Sequence, residues 1–250
     1  MLKDNIFLVK IGKKENLEKM VAGGLYCSPS QRYVLQEKEQ HDRGQGDLLE
    51  GKMRIKAEGG YMEDHVTKRR IPIPKGSVFT IDIQDVNNMP VFCMTRGTLE
   101  ECVNYVSDKE YTIKFSKTYE DEVRHSFKDA DSALIIYEPE KFIASLINTI
   151  QHPVVYDNIN YYDYDIMDIN MMYFLMGESN FEKGKTYSMV YDNRYRHLLC
   201  KHTDFAEQRE FRIIMLDEKI SDPHSYPFMF ESKYDIVDLN DFFAGIEVRL

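Results

Sequence analysis

The chain has few of the features that mark disordered, fibrous or membrane-spanning proteins. Its 250 residues include no tryptophan, 8 prolines and 13 glycines, while 43% are hydrophobic, so the composition indicates a folded globular protein. No stretch approaches the roughly 18 uncharged apolar residues that a membrane-spanning helix needs. The cysteines Cys27, Cys93, Cys102 and Cys200 form no Cys-x-x-Cys pair. We therefore expect reduced thiols in a cytoplasmic protein.

Positive charge is in the minority. There are 32 Lys and Arg residues against 42 Asp and Glu, a formal net charge of -10. This is the wrong sign for a protein that coats nucleic acid through bulk charge, so any such contact has to come from a local patch. Basic residues cluster at 68–70 and again between 194 and 202. The first apolar run is short and bounded by charged residues, so we expect no signal peptide.

The spacing of apolar residues predicts one mixed α+β domain over residues 1–250. The predicted strands cover residues 6–11, 25–28, 77–85, 90–94, 132–137, the stretch from 154, 210–215 and 246–250. The predicted helices cover residues 15–21, 99–106, 139–150 and 168–177. We expect residues 77–85 and 90–94 to be joined by the turn at Asn87-Asn88, and the polar, glycine-rich segment 37–51 to be an exposed loop in a position to cover a site.

The segment 201–215, KHTDFAEQREFRIIM, is the most informative for chemistry. If it is a strand from Gln208 onward, Gln208, Glu210 and Arg212 share an exposed face while the apolar residues between them point to the core. A carboxylate there can bond a sugar hydroxyl and stabilise positive charge at a sugar C1 carbon. A solvated surface stretch would have the same composition, so this segment alone leaves both interpretations open.

Four short motifs follow one another along the chain in an informative order. They are FLVKIGKKENLEKMVAGGLYCSP from residue 7, DLLEG at 47–51, FCMTRG at 92–97 and KHTDFAEQREFR at 201–212. With these motifs the chain resembles bacterial abortive-infection and toxin proteins that have an ADP-ribosyltransferase-like fold. The resemblance spans most of the chain and implies a split β-sandwich with flanking helices and NAD as the substrate.

The resemblance also implies roles for particular residues. Glu210 is expected to be catalytic, bonding the 2'-hydroxyl of the nicotinamide ribose and stabilising an oxocarbenium-like transition state, with Gln208 orienting the acceptor. Thr95 matches the strand position that braces this glutamate, although Met94 departs from the family pattern. Lys10 stands where the family offers Arg or His to the dinucleotide, and either grips the diphosphate or leaves that role to another residue.

Three further residues complete the predicted cofactor-binding set. Tyr26 and Ser28, at alternate positions beside the glycine turn, are expected to face the same cleft as Lys10. Arg212 joins them because it shares a strand face with Glu210. The implied function is a mono-ADP-ribosyltransferase toxin in phage defence, with a macromolecular acceptor and a cognate antitoxin or chaperone. The basic segment before the catalytic strand favours RNA as that acceptor, although DNA or protein also fits.

Other interpretations stay open. Asp47 and Glu50 are too few ligands for a dedicated metal cage, so we expect them to have a structural role or to form the rim of the cleft. The Cys200 and His202 pair lacks the spacing of a zinc site. Besides a transferase or a plain NAD glycohydrolase, the chain could be a binding module without turnover, or a metal-dependent nuclease that uses Asp47, Glu50 and Glu210.

Overall fold

The computed structural model describes residues 6–40, 46–64, 66–98, 103–107, 110–166, 171, 174–175 and 191–249. The strands are β1 (Ile6–Gly12), β2 (Gly24–Pro29), β3 (Lys52–Lys56), β4 (Gly60–Glu63), β5 (Arg70–Ile73), β6 (Val78–Asp82), β7 (Pro90–Thr98), β8 (Val103–Ser107), β9 (Glu110–Ile113), β10 (Ser132–Ile136), β11 (Val154–Asn158), β12 (Asn160–Tyr162), β13 (Cys200–His202), β14 (Glu210–Met215), β15 (His224–Pro227), β16 (Tyr234–Asp238) and β17 (Ile246–Arg249).

Five α-helices and three 3-10 helices accompany these strands in the described residues. The α-helices are α1 (Lys14–Val21), α2 (Gln31–Gln40), α3 (Lys117–Ser126), α4 (Pro139–Thr149) and α5 (Leu239–Ala244), and the 3-10 helices are Gln84–Val86, Tyr191–Leu199 and Thr203–Gln208. None of the helices in these ranges is long and apolar enough to cross a membrane. The structure confirms the mixed α+β class.

A large antiparallel sheet organises the fold. Its main path runs β11-β14-β7-β1-β10-β16, and β2 joins it through β7 while also pairing with β15. Strand β7 changes partner along one edge, because Thr95–Thr98 pair with β1 whereas Pro90 and Val91 pair with β2. Strands β1 and β2 therefore diverge from each other beside the middle of β7. There the main-chain oxygen of Cys93 accepts a hydrogen bond from Lys10 Nζ at 2.6 Å.

Both faces of this sheet are covered, and β1 shows why. Its side chains alternate between the faces, as the period of a strand requires. Leu8 packs with apolar residues of α1 and α4 on one face, while Phe7 and Val9 pack with residues of α3 and α5 on the other. The helices carry matching apolar stripes. In α4, Phe142, Ile143 and Leu146 are buried, and a proline at the helix start suits its first turn.

Several sequence predictions need correction. The predicted helix at 99–106 is wrong, because residues 103–107 form β8, which pairs with β9. The apolar residues Val103 and Tyr105 lie two positions apart, which is the period of a strand, and the segment follows this period instead of a helical one. Residues 77–85 and 90–94 do not form a hairpin, since β6 pairs with β3 and β7 pairs elsewhere. Most of the predicted helix 168–177 lies outside the described residues, although Met171 is buried in a small apolar cluster.

The segment 37–51 is not simply an exposed loop. Helix α2 continues to Gln40, and Asp47 and Glu50 are buried. A turn holds them in place, since Asp47 Oδ1 accepts a hydrogen bond from the backbone of Leu49 at 2.8 Å. The segment between Gln40 and Gly46 lies outside the described residues. The structural role expected of Glu50 is confirmed by its burial and by its contact with β14 described below.

Candidate active site

A cavity of about 230 Å³ lies where β7 changes its partner from β1 to β2. Five of the seven residues predicted for the site line it, and they come from separate parts of the chain: Lys10, Ser28, Thr95, Gln208 and Glu210. Helices α2 and α3 form other parts of the wall. The cavity thus brings together three of the four motifs that the sequence shows.

Glu210 is a nearly buried residue of the cavity lining and is held by two cations. Arg212 donates from Nε to Oε1 at 3.1 Å and from Nη2 to Oε2 at 3.2 Å. Lys201 Nζ lies 3.0 Å from Oε2. The backbone N–H of Glu210 donates to the hydroxyl of Tyr161 at 2.9 Å. The carboxylate is thus fixed in position on both of its oxygens.

The charges around Glu210 keep it ionised. Burial alone would raise the pKa of its carboxyl, but the charges of Arg212 and Lys201 outweigh burial and place the pKa far below its usual range. For Lys201, burial acts to lower the pKa, yet the nearby Glu210 carboxylate raises it overall. At neutral pH the cavity lining therefore contains a carboxylate and an ammonium group in direct contact.

Arg212 links Glu210 to a residue from the other end of the chain. Its guanidinium also binds both carboxylate oxygens of Glu50, through Nη1 and, at 2.9 Å, through Nη2. Nη1 donates as well to the main-chain oxygen of Leu198. Arg212 is 0% exposed. Such a bidentate and fully bonded arrangement is what a buried guanidinium needs to offset its loss of hydration.

This geometry corrects the role predicted for Arg212. It does not line the cavity, so its prediction as a cofactor-binding residue is replaced by a role behind Glu210. The exposed strand face expected from the sequence is in fact buried, at 8% exposure for Glu210. Tyr26 does not line the cavity either, since it is 60% exposed on β2. Ser28, two residues later, does reach the cavity as predicted.

Gln208 is not part of the strand, contrary to expectation. It ends the 3-10 helix Thr203–Gln208, and Arg209 then adopts a left-handed backbone conformation with φ of 47° before β14 begins. Gln208 still reaches the site, because its Oε1 accepts a hydrogen bond from Lys201 Nζ at 3.0 Å. Lys201 therefore connects the two residues predicted to be catalytic.

Thr95 is placed by strand register. On β7 it lies opposite Val9 of β1 on one side and opposite Glu210 of β14 on the other. Tyr119 of α3 donates its hydroxyl proton to Thr95 Oγ1 at 3.0 Å. The expectation that Thr95 stands beside the glutamate is thus met in position, while its role in bracing a ribose stays a prediction.

Cys93 and Lys10 line the same wall. Burial raises the pKa of the Cys93 thiol to about 12, with the Glu210 carboxylate adding to the effect. The thiol is neutral at physiological pH and contacts the hydroxyl of Tyr33 at 3.5 Å. Burial lowers the pKa of Lys10, and the carboxylate of Glu210 acts in the opposite direction. Cys27, Cys93 and Cys200 are free thiols, and Cys102 lies outside the described residues.

The structure adds lining residues that the sequence did not indicate. Arg32 and Tyr33 come from α2, and Glu122 comes from α3. Burial raises the pKa of Glu122, which is opposed by a hydrogen bond with Gln208. The sequence marks Lys201 only as one of several basic residues, although it begins the last motif. Nothing local in the sequence marks Arg32, because its position depends on how α2 packs.

The basic segment 194–202 is not the solvated patch that favoured RNA. His197 is 2% exposed, and burial lowers the pKa of its imidazole to about 4, so it is neutral at physiological pH. Lys201 is committed to Glu210 and Gln208. Arg196 donates to the main-chain oxygen of Phe174 at 2.7 Å. The segment contributes one charge to the cavity instead of a broad cationic surface.

The residues named for a metal-dependent nuclease do not form a metal site. Arg212 lies between Glu50 and Glu210 and binds both carboxylates, so each acid already has a cation as its partner. Within the ranges that the structure covers, no group of three or more His, Cys, Asp and Glu residues is arranged to hold a metal ion. This arrangement is a buried ion-pair network.

Comparisons with family models, with curated proteins and with solved structures gave no match for this chain. The function is therefore argued from the site itself.

Proposed function

We propose that this chain is an NAD-dependent mono-ADP-ribosyltransferase, with Glu210 as its catalytic carboxylate. The observation that supports the proposal is the convergence of Lys10, Ser28, Thr95, Gln208 and Glu210 on one cavity. These residues belong to motifs that lie far apart in the chain. The divergence of β1 and β2 along one edge of β7 supports extending the proposal to a split β-sandwich of the transferase type.

The proposed reaction uses the negative charge of Glu210. The bond between the nicotinamide nitrogen and ribose C1' breaks, and nicotinamide leaves with the bonding electrons. Positive charge then develops on the ribose, where a fixed carboxylate stabilises it more than it stabilises the ground state. A nucleophile of the acceptor forms the new bond to C1' and loses its proton. In this proposal the acceptor is oriented by Gln208, which contacts Lys201 and Glu122.

The side chains of the cavity fit an NAD molecule by their chemistry. Lys10 and Arg32 supply positive charge for the diphosphate, and Thr95, Ser28 and Glu210 supply partners for ribose hydroxyls. The cavity of about 230 Å³ is small beside the roughly 300–1,000 Å³ of typical ligand pockets. We therefore place the nicotinamide and its ribose inside, with the rest of the dinucleotide along the mouth.

The proposal extends to a toxin that modifies a macromolecule, controlled by an antitoxin or chaperone. RNA stays the first acceptor to test, followed by DNA and protein. The support for RNA is reduced, however, since His197 and Lys201 of the basic segment are buried.

The test is to incubate the purified protein with NAD labelled on the adenylate phosphate and to add RNA, DNA or cell protein separately. Label on one acceptor that is lost in Glu210→Gln and kept in the exposed control Glu140→Gln supports a transferase. Label transfer that survives Glu210→Gln in a folded variant would exclude Glu210 as the catalytic residue. Release of free ADP-ribose with no labelled acceptor would indicate a glycohydrolase.

One observation favours a second candidate, a nucleotide-binding module without turnover. Both oxygens of Glu210 already accept hydrogen bonds or ion pairs, from Arg212 and Lys201. A ribose hydroxyl would have to displace or share one of these contacts. Calorimetric binding of NAD with no release of nicotinamide would support this candidate against the transferase.

A further inference from the structure

A two-stranded antiparallel ribbon is separate from the large sheet and contributes no residue to the lining of the cavity. It comprises residues 52–82, here termed the β-arm, in which β3 pairs with β6 and β4 pairs with β5. Hydrogen bonds between Ala57 and Ser77 (2.8 Å) and between Gly76 and Ala57 (2.8 Å) join the two pairs into one ribbon. Met53 is buried near the base, but every residue of β4 is exposed.

The outer part of the β-arm exposes apolar side chains. Of the thirteen exposed large apolar side chains in the described residues, six lie on the β-arm: Tyr61, Met62, Val66 and Ile71 in its outer part, and Val78 and Ile81 on β6. Met62 and Ile71 face each other across the ribbon and are 49% and 48% exposed. An isolated two-stranded ribbon is marginally stable in water, and clustered exposed apolar residues indicate a contact surface.

The charge of the β-arm opposes that of the rest of the chain. Residues 52–82 contain seven Lys and Arg against four Asp and Glu, a net charge of +3. The remaining residues contain 25 against 38, a net charge of -13. The partner of the β-arm should therefore be acidic and should also bury apolar side chains.

We propose that the β-arm docks on a second copy of this chain. The rest of that copy supplies the complementary negative charge, while the same charge would repel nucleic acid. Tyr, Met and Arg, which are enriched in protein interfaces, occur together at the outer end of the arm. Arg70 there lies over the ring of Tyr61 at 4.3 Å. The inference does not depend on the proposed enzymatic activity.

The test is the molar mass in solution, by sedimentation equilibrium over a range of protein concentrations. We expect a concentration-dependent mass that approaches twice the chain mass of 29.5 kDa. The association should weaken at about 0.5 M salt, where the Debye length falls to about 4 Å. A monomer at every concentration would overturn the proposal. A monomer that binds duplex DNA or RNA would reassign the arm to nucleic acid.

Double variants of the β-arm and a control variant elsewhere test whether the dimer contact is made by the β-arm. Met62→Ser with Ile71→Ser removes two exposed apolar contacts and should raise the dimer dissociation constant by about tenfold or more. Lys68→Glu with Arg69→Glu should weaken the dimer at low salt. The control Ile147→Ser alters a side chain of α4 that is 44% exposed and should leave the mass unchanged. A dimer that is insensitive to both arm variants would contradict the proposal.

Discussion

Two arginine–glutamate pairs of similar geometry lie in opposite surroundings in this molecule. On the β-arm, Arg70 Nε lies 2.8 Å from Glu63 Oε2, with the two side chains 61% and 32% exposed. In the site, Arg212 is fully buried and joins Glu50 to Glu210. Water screens the first pair and competes for it, whereas the second has no solvent to replace a lost partner. The distance between the charged atoms alone therefore does not indicate how much an ion pair contributes to the free energy of unfolding.

The largest loss of stability is expected from a substitution of Arg212. Arg212→Met removes the only cation bound to both carboxylates in the described site and leaves Glu50 buried with a negative charge. We expect the free energy of unfolding to fall by about 3–5 kcal/mol, as for other buried ion pairs that lose one partner. Urea unfolding followed by circular dichroism measures this loss. A change below about 1 kcal/mol would mean that the network does not support the fold.

The next largest effect is a dependence on pH. The pKa of His197 is lowered by burial to about 4, from the usual 6.5, so the unfolded chain binds a proton that the folded chain does not. This group therefore leaves stability unchanged above pH 6.5 and reduces it by about 1.4 kcal/mol per pH unit as the pH falls toward 4. His197→Leu should flatten the unfolding free energy over this window. Equal slopes in both proteins would contradict the assignment.

A smaller change follows at Glu50. Glu50→Gln keeps the shape of the side chain but removes one negative charge beside Arg212, which retains Glu210 as a partner. We expect a loss of about 1–3 kcal/mol in unfolding free energy, in line with one damaged buried hydrogen-bonded pair. The proposed function further predicts a fall in nicotinamide release, because Glu50 fixes Arg212 and thereby Glu210. Glu50→Ala should cost more than Glu50→Gln, and the reverse order would exclude a role through Arg212.

The smallest effect is expected on the β-arm. Arg70→Met makes the same substitution as Arg212→Met at an exposed pair, where the net contribution is about 1 kcal/mol or less. The unfolding free energies of the two variants, measured under the same conditions, show how much burial changes the contribution of an arginine–glutamate pair. Equal losses at the two positions would show that burial is not the deciding variable.

Local patterns in the sequence predicted the local parts of the fold. The apolar runs of β1 and β10 and the apolar stripe of α4 are properties of short segments, and the sequence predicts each within a few residues. The pairing of β3 with β6 could not be predicted, because the two segments lie more than 20 residues apart and no local pattern links them. Similarly, the expected hairpin before β7 failed because tertiary pairing decides which strands become neighbours.

In the candidate site, too, local motifs predicted some residues, while others depend on long-range packing. Glu210 and Thr95 were predicted from motifs, and strand register places them opposite each other. The role of Arg212 could not be predicted, since it depends on Glu50, which is 162 residues away in the chain. Arg32 was missed because only the packing of α2 brings it to the cavity. Motifs identified residue types, and long-range packing determined which of them face a ligand.

Nicotinamide release from NAD tests the central claim most directly. The rate is measured for the unmodified protein, for Glu210→Gln and for the exposed control Glu140→Gln, with circular dichroism and urea unfolding to show that each is folded. The proposed function predicts release by the unmodified protein and by Glu140→Gln, and a loss of about a hundredfold or more in Glu210→Gln. Equal rates in all three, or no release by any of them in the presence of RNA, DNA and cell protein, would contradict it.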